Sequence, residues 1–183
     1  IGNTPLQEPA PGIFVKCEYL NPTGSIKARL AKWLIDKAER AGELQAGDTI
    51  VEATSGNTGN ALAMVAAVKG YKCVVIMPEA FSNERVAISR AFGAEVRLTP
   101  GMDVVPAREM ALKLAEQDGW WCPRQFDNEE NIDNNAEWLA REIILQIPSN
   151  VKIDAVVQGV GTGGTLIGVG KGLRAHHNKD LKL

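Results

Sequence analysis

The hydrophobic pattern of the chain alternates between two periods. Short runs rich in β-branched residues are separated by longer stretches in which apolar residues recur every three or four positions. The first pattern is typical of buried strands and the second of amphipathic helices. We predict strands over residues 14–19, 49–52, 73–77, 95–98, 120–122 and 155–158. We predict helices from about residue 25 to the glycine at 42, over 60–69, 82–92 and 104–118, one that ends at 145, and one that begins at 166.

This order of elements predicts an α/β fold. Strands that alternate with helices form parallel sheets whose two faces are covered by the helices. In such folds, ligands bind at the carboxyl ends of the strands, in the loops that lead into the next helices. Three of these loops carry unusual polar residues, at positions 21–27, 54–59 and 159–165. We therefore place the candidate site in these loops.

Composition and charge exclude several classes of partner. The 183 residues are 45% hydrophobic and 23% charged, and the formal net charge is -2. This balance gives no electrostatic reason to expect a nucleic acid or an anionic membrane as partner, and no apolar run approaches the ~20 residues that span a bilayer. Three widely spaced cysteines, Cys17, Cys73 and Cys122, favour neither a disulfide framework nor a metal site. We expect a cytoplasmic protein without a bound metal.

The loop at 54–59, Thr-Ser-Gly-Asn-Thr-Gly, leads from a predicted strand into a helix whose first residues are small. Backbone N–H groups at a helix start lack intrahelical acceptors and lie at the positive end of the helix dipole. The hydroxyl groups of Thr54, Ser55 and Thr58 and the amide of Asn57 add further donors. The pattern favours a carboxylate or phosphate site, although an ordinary capped turn would use the same residue types.

The loop at 159–165, Gly-Val-Gly-Thr-Gly-Gly-Thr, precedes the last predicted helix. Consecutive glycines expose backbone N–H groups and allow a phosphate to approach closely. Gly159, Gly161 and Gly164 also satisfy the G-x-G-x-x-G pattern of dinucleotide sites. A dinucleotide site needs an acidic residue at the end of the next strand, whereas Asp180 precedes the apolar segment LKL. No Walker sequence is present, so the phosphate of a smaller ligand fits better.

The third loop, Asn-Pro-Thr-Gly-Ser-Ile-Lys at 21–27, places Lys27 in the first turn of a helix. The helix dipole disfavours a cation at this position. Together with any burial, that effect favours the neutral amine, which can attack a carbonyl or accept a proton. The alternative is that Lys27 is a solvated helix lysine like Lys32 and Lys37. A lysine, a carboxylate site and a phosphate loop are together the parts needed to hold pyridoxal phosphate and an amino acid.

The chain resembles the fold-type II pyridoxal-phosphate enzymes, and among them the group of cysteine synthase (O-acetylserine sulfhydrylase) and cystathionine β-synthase. The matching segments occur in the family's order along nearly the whole chain. They are IGNTPL, NPTGSIKAR, EATSGNTGNALA followed by KGY, the stretch from Met77 to Arg85, GAEV, QFDN and GVGTGGT. The stretch NNAEWLAREI departs from the family's usual run after QFDN, and only Glu142 and Ile143 match it.

The resemblance implies a role for each site residue. Lys27 would bind the cofactor covalently and later remove the Cα proton of the substrate. Asn57 would lie beside the cofactor's phenolic oxygen. The substrate carboxylate would be bound by Thr54, Ser55, Thr58 and Gln125. The cofactor phosphate would be bound by Gly161, Thr162, Gly163, Gly164 and Thr165.

The implied reaction is β-replacement, in which O-acetylserine or a related activated serine and sulfide give L-cysteine. Cystathionine β-synthase-like or serine/threonine dehydratase-like chemistry, or a truncated non-catalytic homologue that binds a partner, are the alternatives. The resemblance also implies a homodimer of subunits with two domains. Residues 1–40 and 146–183 would belong to the larger cofactor-binding domain, and residues 41–145 would form a smaller mobile domain. Because relatives continue beyond the phosphate loop, we expect the chain to be a portion of a longer protein whose larger domain is truncated here.

Overall fold

The computed structural model describes all residues, 1–183. Its strands are β1 (Leu6–Ala10), β2 (Ile13–Lys16), β3 (Thr49–Ala53), β4 (Lys72–Pro78), β5 (Glu95–Thr99) and β6 (Trp120–Trp121). Its helices are α1 (Lys27–Ala41), α2 (Asn57–Lys69), α3 (Asn83–Ala91), α4 (Val105–Leu114), α5 (Glu130–Asn134), α6 (Ala140–Gln146) and α7 (Gly164–His176). A 3-10 turn covers Glu18–Leu20, and a π-helical turn over Asn135–Leu139 joins α5 to α6.

The chain forms two compact units. The terminal unit comprises residues 1–30 and 125–183, and the central unit comprises residues 31–124. The first boundary falls inside α1, after Leu30. The assignment of a larger cofactor-binding domain and a smaller mobile domain remains a prediction. None of the helices combines the length and apolar character that a membrane-spanning helix requires.

The central unit is built on a four-stranded parallel sheet in the order β5-β4-β3-β6. Val74 and Ile76 of β4 face α4, where Ala107 belongs to the same buried cluster. The alternate residue Val75 faces α2, and a Cβ built on Gly59 would lie 2.6 Å from its Cγ1 atom. Strands buried on both faces have continuous apolar sequences. The predicted α/β fold with helices on both faces of a parallel sheet is therefore confirmed.

The terminal unit contains the antiparallel hairpin β1-β2 and a closely packed group of helices. Helix α7 packs on α5, the π-helical turn and α6 along a glycine seam, which consists of Gly164, Gly168 and Gly172. A Cβ on Gly168 would lie 2.3 Å from the carbonyl oxygen of Ile132, and one on Gly172 would lie 2.5 Å from that of Ala136. No side chain fits at these distances, so the glycines allow the backbones to approach.

Two predicted strands of the terminal unit were wrong in extent. The strand predicted over 14–19 ends at Lys16, because the chain turns into a 3-10 segment, and it pairs with β1, which the sequence did not predict. Pro9 within β1 obscured its strand pattern. The strand predicted over 155–158 is reduced to a single parallel bridge between Ala155 and Lys182.

Several helix boundaries also differ from the predictions. Helix α2 begins at Asn57 instead of residue 60, so three loop residues belong to its first turn. Helix α4 ends at Leu114, four residues before the predicted end. The helix predicted to end at 145 is interrupted by the π-helical turn, a feature that hydrophobic spacing does not reveal.

Candidate active site

The loop after β3 in the central unit has a tightly determined backbone. The Thr54 hydroxyl oxygen accepts a hydrogen bond from the Gly56 N–H at 3.0 Å. Gly56 has a φ of 149°, a conformation that side-chain-bearing residues rarely adopt. Arg85 Nη1 donates to the Ser55 carbonyl oxygen at 2.7 Å. These bonds hold the loop in a shape that requires glycine at position 56.

The side chains of this loop divide into two groups. Thr54 and Thr58 are buried, with 2% and 3% of their surface exposed. Ser55 and Asn57 are exposed. Thr54 therefore shapes the turn through its hydroxyl group, whereas Ser55 and Asn57 present their polar groups at the start of α2. An anion at this helix start would also interact favourably with the helix dipole.

Arg85 is a candidate functional residue that sequence reasoning did not assign. Its guanidinium group lies 5.2 Å from the centroid of the Phe81 ring, and it bonds to the loop backbone at Ser55. A Cβ built on Gly56 would lie 2.6 Å from Arg85 Cδ. The arginine thus brings a positive charge to the loop predicted to bind a carboxylate. Arg85 lies 30 residues from Ser55 along the chain, so no local pattern indicated this contact.

Lys27 is the first residue of α1, in the terminal unit. Its backbone N–H donates to the Ser25 hydroxyl oxygen at 3.3 Å. Burial lowers the pKa of the Lys27 amine, because a low-dielectric environment disfavours the charged form. The neighbouring residues Ser25 and Ile26 line a cavity of about 730 Å³, which Thr165 of the glycine-rich loop also lines. Lys27 is therefore partly buried and is not a fully solvated helix lysine.

The glycine-rich loop leads directly into α7. Gly163 has a φ of 84°, which favours glycine, and the Ile167 N–H donates to the Gly163 carbonyl oxygen at 3.1 Å. The N–H groups of Thr165 and Leu166 have no acceptor in the protein. A Cβ on Gly161 would meet no atom within 4 Å. The loop therefore has open space and unused donors, which is what an anion-binding helix start requires.

Gln125 is linked to the glycine-rich loop through a residue that the sequence did not single out. Asn131 Nδ2 donates to the Gln125 carbonyl oxygen at 3.0 Å and to Thr162 Oγ1 at 2.8 Å. Only 4% of the surface of Asn131 is exposed. Asn131 lies in a polar segment, and the low apolar content of that segment gave no sign of a buried residue.

A buried ion network lies close in sequence to Lys27. Arg29, whose side chain is fully buried, donates from Nε to Glu18 Oε2 at 2.8 Å and from Nη2 to Glu142 Oε2 at 2.6 Å. Lys16 Nζ donates to the same Glu142 oxygen at 2.7 Å. Because Lys27 and Arg29 are two positions apart on α1, this network fixes the helix turn that carries Lys27. The partners of Arg29 are 11 and 113 residues away, so no local pattern predicted it.

The terminal unit thus combines a partly buried amine of lowered pKa with unused N–H donors at a helix start. A phosphorylated aldehyde is the ligand type that both features suit, because the amine can condense with the aldehyde and the donors can bind the phosphate. No group of three or more histidine, cysteine, aspartate or glutamate side chains is placed to hold a metal ion.

The chain belongs to the pyridoxal-phosphate dependent enzyme family, whose sequence profile matches residues 1–183. The cofactor of this family is pyridoxal 5'-phosphate, and the predicted family and cofactor are confirmed. The buried Lys27 and the open donors of the glycine-rich loop fit this group.

Individual relatives show which members of this family the chain is similar to. The chain is 46% identical to a cysteine synthase of Staphylococcus aureus (strain Mu50) over 185 residues, which is 97% of this chain and 59% of the relative. A crystal structure of O-ureido-L-serine synthase matches with a TM-score of 0.88 and 46% identity, over 96% of this chain and 57% of that one. A crystal structure of O-acetylserine dependent cystathionine beta-synthase from Helicobacter pylori matches with a TM-score of 0.87 and 35% identity, over 96% of this chain and 60% of that one. The chain thus spans about three fifths of the length of these relatives.

Proposed function

We propose that the protein takes part in β-replacement on an activated serine, in which O-acetylserine or a related substrate and sulfide give L-cysteine. The observation that carries the proposal is the partly buried amine of Lys27, whose pKa is lowered by burial, in a unit whose glycine-rich loop has unused N–H donors. The identity to a cysteine synthase supports sulfide as the second substrate.

Each unit has a separate proposed task. In the terminal unit, the residues of the glycine-rich loop bind the phosphate of the cofactor, and Lys27 holds the cofactor covalently. In the central unit, Ser55, Thr54 and Thr58 would bind the substrate carboxylate, and Asn57 would lie beside the cofactor's phenolic oxygen. Gln125 of the terminal unit adds a further contact to the carboxylate.

The Lys27 amine would have a second task when it is not bonded to the cofactor. Its Nζ atom would then take the proton from the substrate Cα, and the lowered pKa favours the neutral form that can accept a proton. When bound, pyridoxal 5'-phosphate supplies a conjugated ring that takes up the negative charge left at Cα. The carboxylate contacts orient the Cα–H bond toward the acceptor amine.

The first test is spectroscopic. Protein incubated with pyridoxal 5'-phosphate should gain the visible absorbance of a lysine-bound cofactor, and borohydride reduction followed by peptide mass analysis should place the cofactor on Lys27. The variant Lys27→Ala should lose both signals, whereas Lys32→Ala on the exposed side of the same helix should keep them. A parent protein that takes up no cofactor would contradict the proposal.

The second test concerns the substrate loop. Ser55→Ala and Asn57→Ala should each retain the bound cofactor but weaken the spectral response to O-acetylserine. Ser82→Ala is a matched control, because Ser82 is also exposed but precedes another helix. An unchanged titration in Ser55→Ala would contradict the carboxylate assignment, and an unchanged titration in Asn57→Ala would contradict the role of Asn57 beside the cofactor.

A second candidate reaction follows from the comparisons. O-ureido-L-serine synthase is as similar to this chain as the cysteine synthase, at 46% identity, and its name indicates a different product. The two names differ in the amino acid that is formed. Quantifying the amino acid products formed from O-acetylserine with sulfide, with homocysteine and without an added nucleophile separates β-replacement from cystathionine formation and deamination. A protein that binds cofactor but forms no product would favour a non-catalytic binding role.

We also propose a cytoplasmic homodimer. The three cysteines form no disulfide, which suits a reducing compartment. The β1-β2 hairpin and the following turn expose apolar side chains, including those of Ile13, Val15 and Tyr19, which suits contact with further protein. Sedimentation equilibrium of the protein measures the subunit number directly, and a monomer at all concentrations would contradict the dimer.

A further inference from the structure

The amide group of Asn131 joins the glycine-rich loop to the segment at Gln125. Its Nδ2 atom carries two hydrogens, and both have an acceptor: the Gln125 carbonyl oxygen at 3.0 Å and Thr162 Oγ1 at 2.8 Å. The residue is buried, so these bonds are made away from bulk water. A buried amide with both hydrogens engaged is strongly held in position.

The orientation of this amide follows from its partners. A backbone carbonyl oxygen can only accept hydrogen bonds, so the amide nitrogen and not the amide oxygen faces Gln125. The same nitrogen faces Thr162. The Thr162 hydroxyl oxygen must therefore act as an acceptor toward Asn131, although a hydroxyl group can in general donate or accept.

The hydroxyl hydrogen of Thr162 is consequently left for another partner. Its oxygen also accepts a long hydrogen bond from the Gly164 N–H at 3.4 Å, so two donors already point at it. The hydroxyl hydrogen has no acceptor in the protein. The N–H groups of Thr165 and Leu166, at the start of the same helix, likewise have none. The loop thus holds at least these three donors without acceptors.

The glycine seam keeps Asn131 at this position. A Cβ on Gly164 would lie 2.3 Å from Asn131 Oδ1, so the asparagine amide occupies the space beside the loop that any larger residue at 164 would need. The next contact of the seam, between Gly168 and the carbonyl oxygen of Ile132, fixes the helix turn that follows Asn131. The amide cannot withdraw without moving the backbone of α5.

We propose that Asn131 is a positioning residue that makes the Thr162 hydroxyl a donor to the cofactor phosphate. This inference rests on the proposed binding of pyridoxal 5'-phosphate by the glycine-rich loop. Asn131 itself does not touch the phosphate. Because Asn131 donates to the Thr162 oxygen, the hydroxyl hydrogen cannot point toward Asn131. It remains available to donate to an anion bound at the loop.

The alternative is a purely structural asparagine, which would stabilise the helix pair without affecting which ligand the loop prefers. The two roles differ in their effect on phosphate recognition. A structural defect weakens the binding of pyridoxal 5'-phosphate and of pyridoxal, which lacks the phosphate, by the same factor. Loss of a hydrogen-bond donor to the phosphate weakens only the binding of pyridoxal 5'-phosphate. The ratio of the two affinities is therefore the informative quantity.

The experiment measures the dissociation constants of pyridoxal 5'-phosphate and pyridoxal for the whole chain from the absorbance of the lysine-bound form. Thr162→Val removes the donor and should lower the preference for the phosphorylated ligand by about tenfold or more, the value of a hydrogen bond to a charged group. Asn131→Ala should lower the preference by about tenfold or less, because the hydroxyl then samples other directions. Asn134→Ala is the matched control, because Asn134 is a buried asparagine on the same helix and its Oδ1 atom has no partner. This variant should prefer pyridoxal 5'-phosphate over pyridoxal by the same ratio as the parent protein.

The double variant decides whether Asn131 acts through Thr162. In the Thr162→Val background, Asn131→Ala should have no further effect on the preference, because there is no hydroxyl left to orient. If the two effects multiply, or if Asn131→Ala changes both dissociation constants equally, the proposal is overturned. If Asn131→Ala does not fold, Thr162→Val alone still tests it, since an unchanged preference in that variant refutes the donor role. Failure of the proposed function is distinguishable, because the parent protein would then bind neither ligand at Lys27.

Discussion

The most quantitative prediction concerns Glu142, the carboxylate at the centre of the buried ion network in the terminal unit. It accepts hydrogen bonds from Arg29 Nη1 at 3.0 Å, Arg29 Nη2 at 2.6 Å, Lys16 Nζ at 2.7 Å and the Asn3 N–H at 2.6 Å. Glu142→Gln keeps the shape of the side chain but removes its charge and turns one acceptor into a donor. That donor would face groups that can only donate.

The size of the effect follows from the titration of Glu142. Burial by itself raises the pKa of this carboxyl group, but the hydrogen bonds from Arg29, Lys16 and Asn3 outweigh it and lower the pKa from the ordinary 4.5 to about 2. Because one pKa unit corresponds to about 1.4 kcal/mol, the charged form is favoured in the folded protein by about 3 kcal/mol. Only 14% of the side chain is exposed, so solvent screening removes little of this. We expect Glu142→Gln to lower the free energy of unfolding at pH 7 by about 3 kcal/mol.

The pH dependence provides a second signature. The folded pKa is lower than the unfolded one, so the contribution of Glu142 is fully present above about pH 4.5 and is lost as the pH falls toward about 2. In the parent protein the stability should fall over this range. The stability of Glu142→Gln should fall less over the same range. The difference in the free energy of unfolding between parent and variant should therefore become smaller as the pH falls. Some acid sensitivity remains in the variant, because Glu18 also has a lowered pKa: burial raises it, and hydrogen bonds from Arg29 and Thr4 outweigh that effect.

Urea unfolding between pH 7 and pH 3, followed by circular dichroism, measures both effects. Glu137→Gln is the control, because Glu137 is exposed on the same helical run and its replacement should change the stability by less than about 0.5 kcal/mol. If Glu142→Gln were as stable as the parent at pH 7, or if the two differed by the same amount at every pH, the network would not stabilise the charged form of Glu142.

Three further substitutions test packing and backbone conformation through the free energy of unfolding. Gly168→Ala places a Cβ 2.3 Å from the carbonyl oxygen of Ile132 and should cost about 1–3 kcal/mol, despite the better helix propensity of alanine. Ser89→Ala removes the donor to Asn60 Oδ1 at 2.7 Å in a buried site and should cost about 1–3 kcal/mol. Gly56→Ala forces a side chain into a φ of 149° and should cost about 1–3 kcal/mol. A variant as stable as the parent would show that the corresponding contact relaxes without cost.

The central unit was predicted well because its strands are buried on both faces. The run CVVIM has no polar position, so period and length together identified β4, and the glycines that follow the helices marked their ends. The start of α2 was placed late, because Asn57, Thr58 and Gly59 are poor helix formers in isolation. Their place in the helix is set by contacts such as that of Gly59 with Val75, which come from another strand.

The candidate site was predicted only where its chemistry is local in sequence. The glycine-rich loop and Lys27 could be recognised because each consists of a short motif at the start of a helix. Asn131 and Glu142 could not, because their roles depend on partners 31 and 113 residues away. The sequence around a polar residue does not show whether that residue is buried. The sequence around a charged residue does not show which distant residue it pairs with. Both become visible only when the helices pack.

Helix packing and phosphate recognition should for that reason be coupled in the terminal unit. If Gly168→Ala pushes α5 away from α7, Asn131 moves with its helix and loses its short bond to Thr162. The variant should then lose preference for pyridoxal 5'-phosphate over pyridoxal in proportion to that movement, although position 168 is remote from the loop itself. Ser89→Ala is the matched control, because it removes a buried hydrogen bond of the central unit and should lower stability while leaving the preference unchanged. Equal preferences in the two variants would mean that the loop keeps its donors without the close approach of the helices.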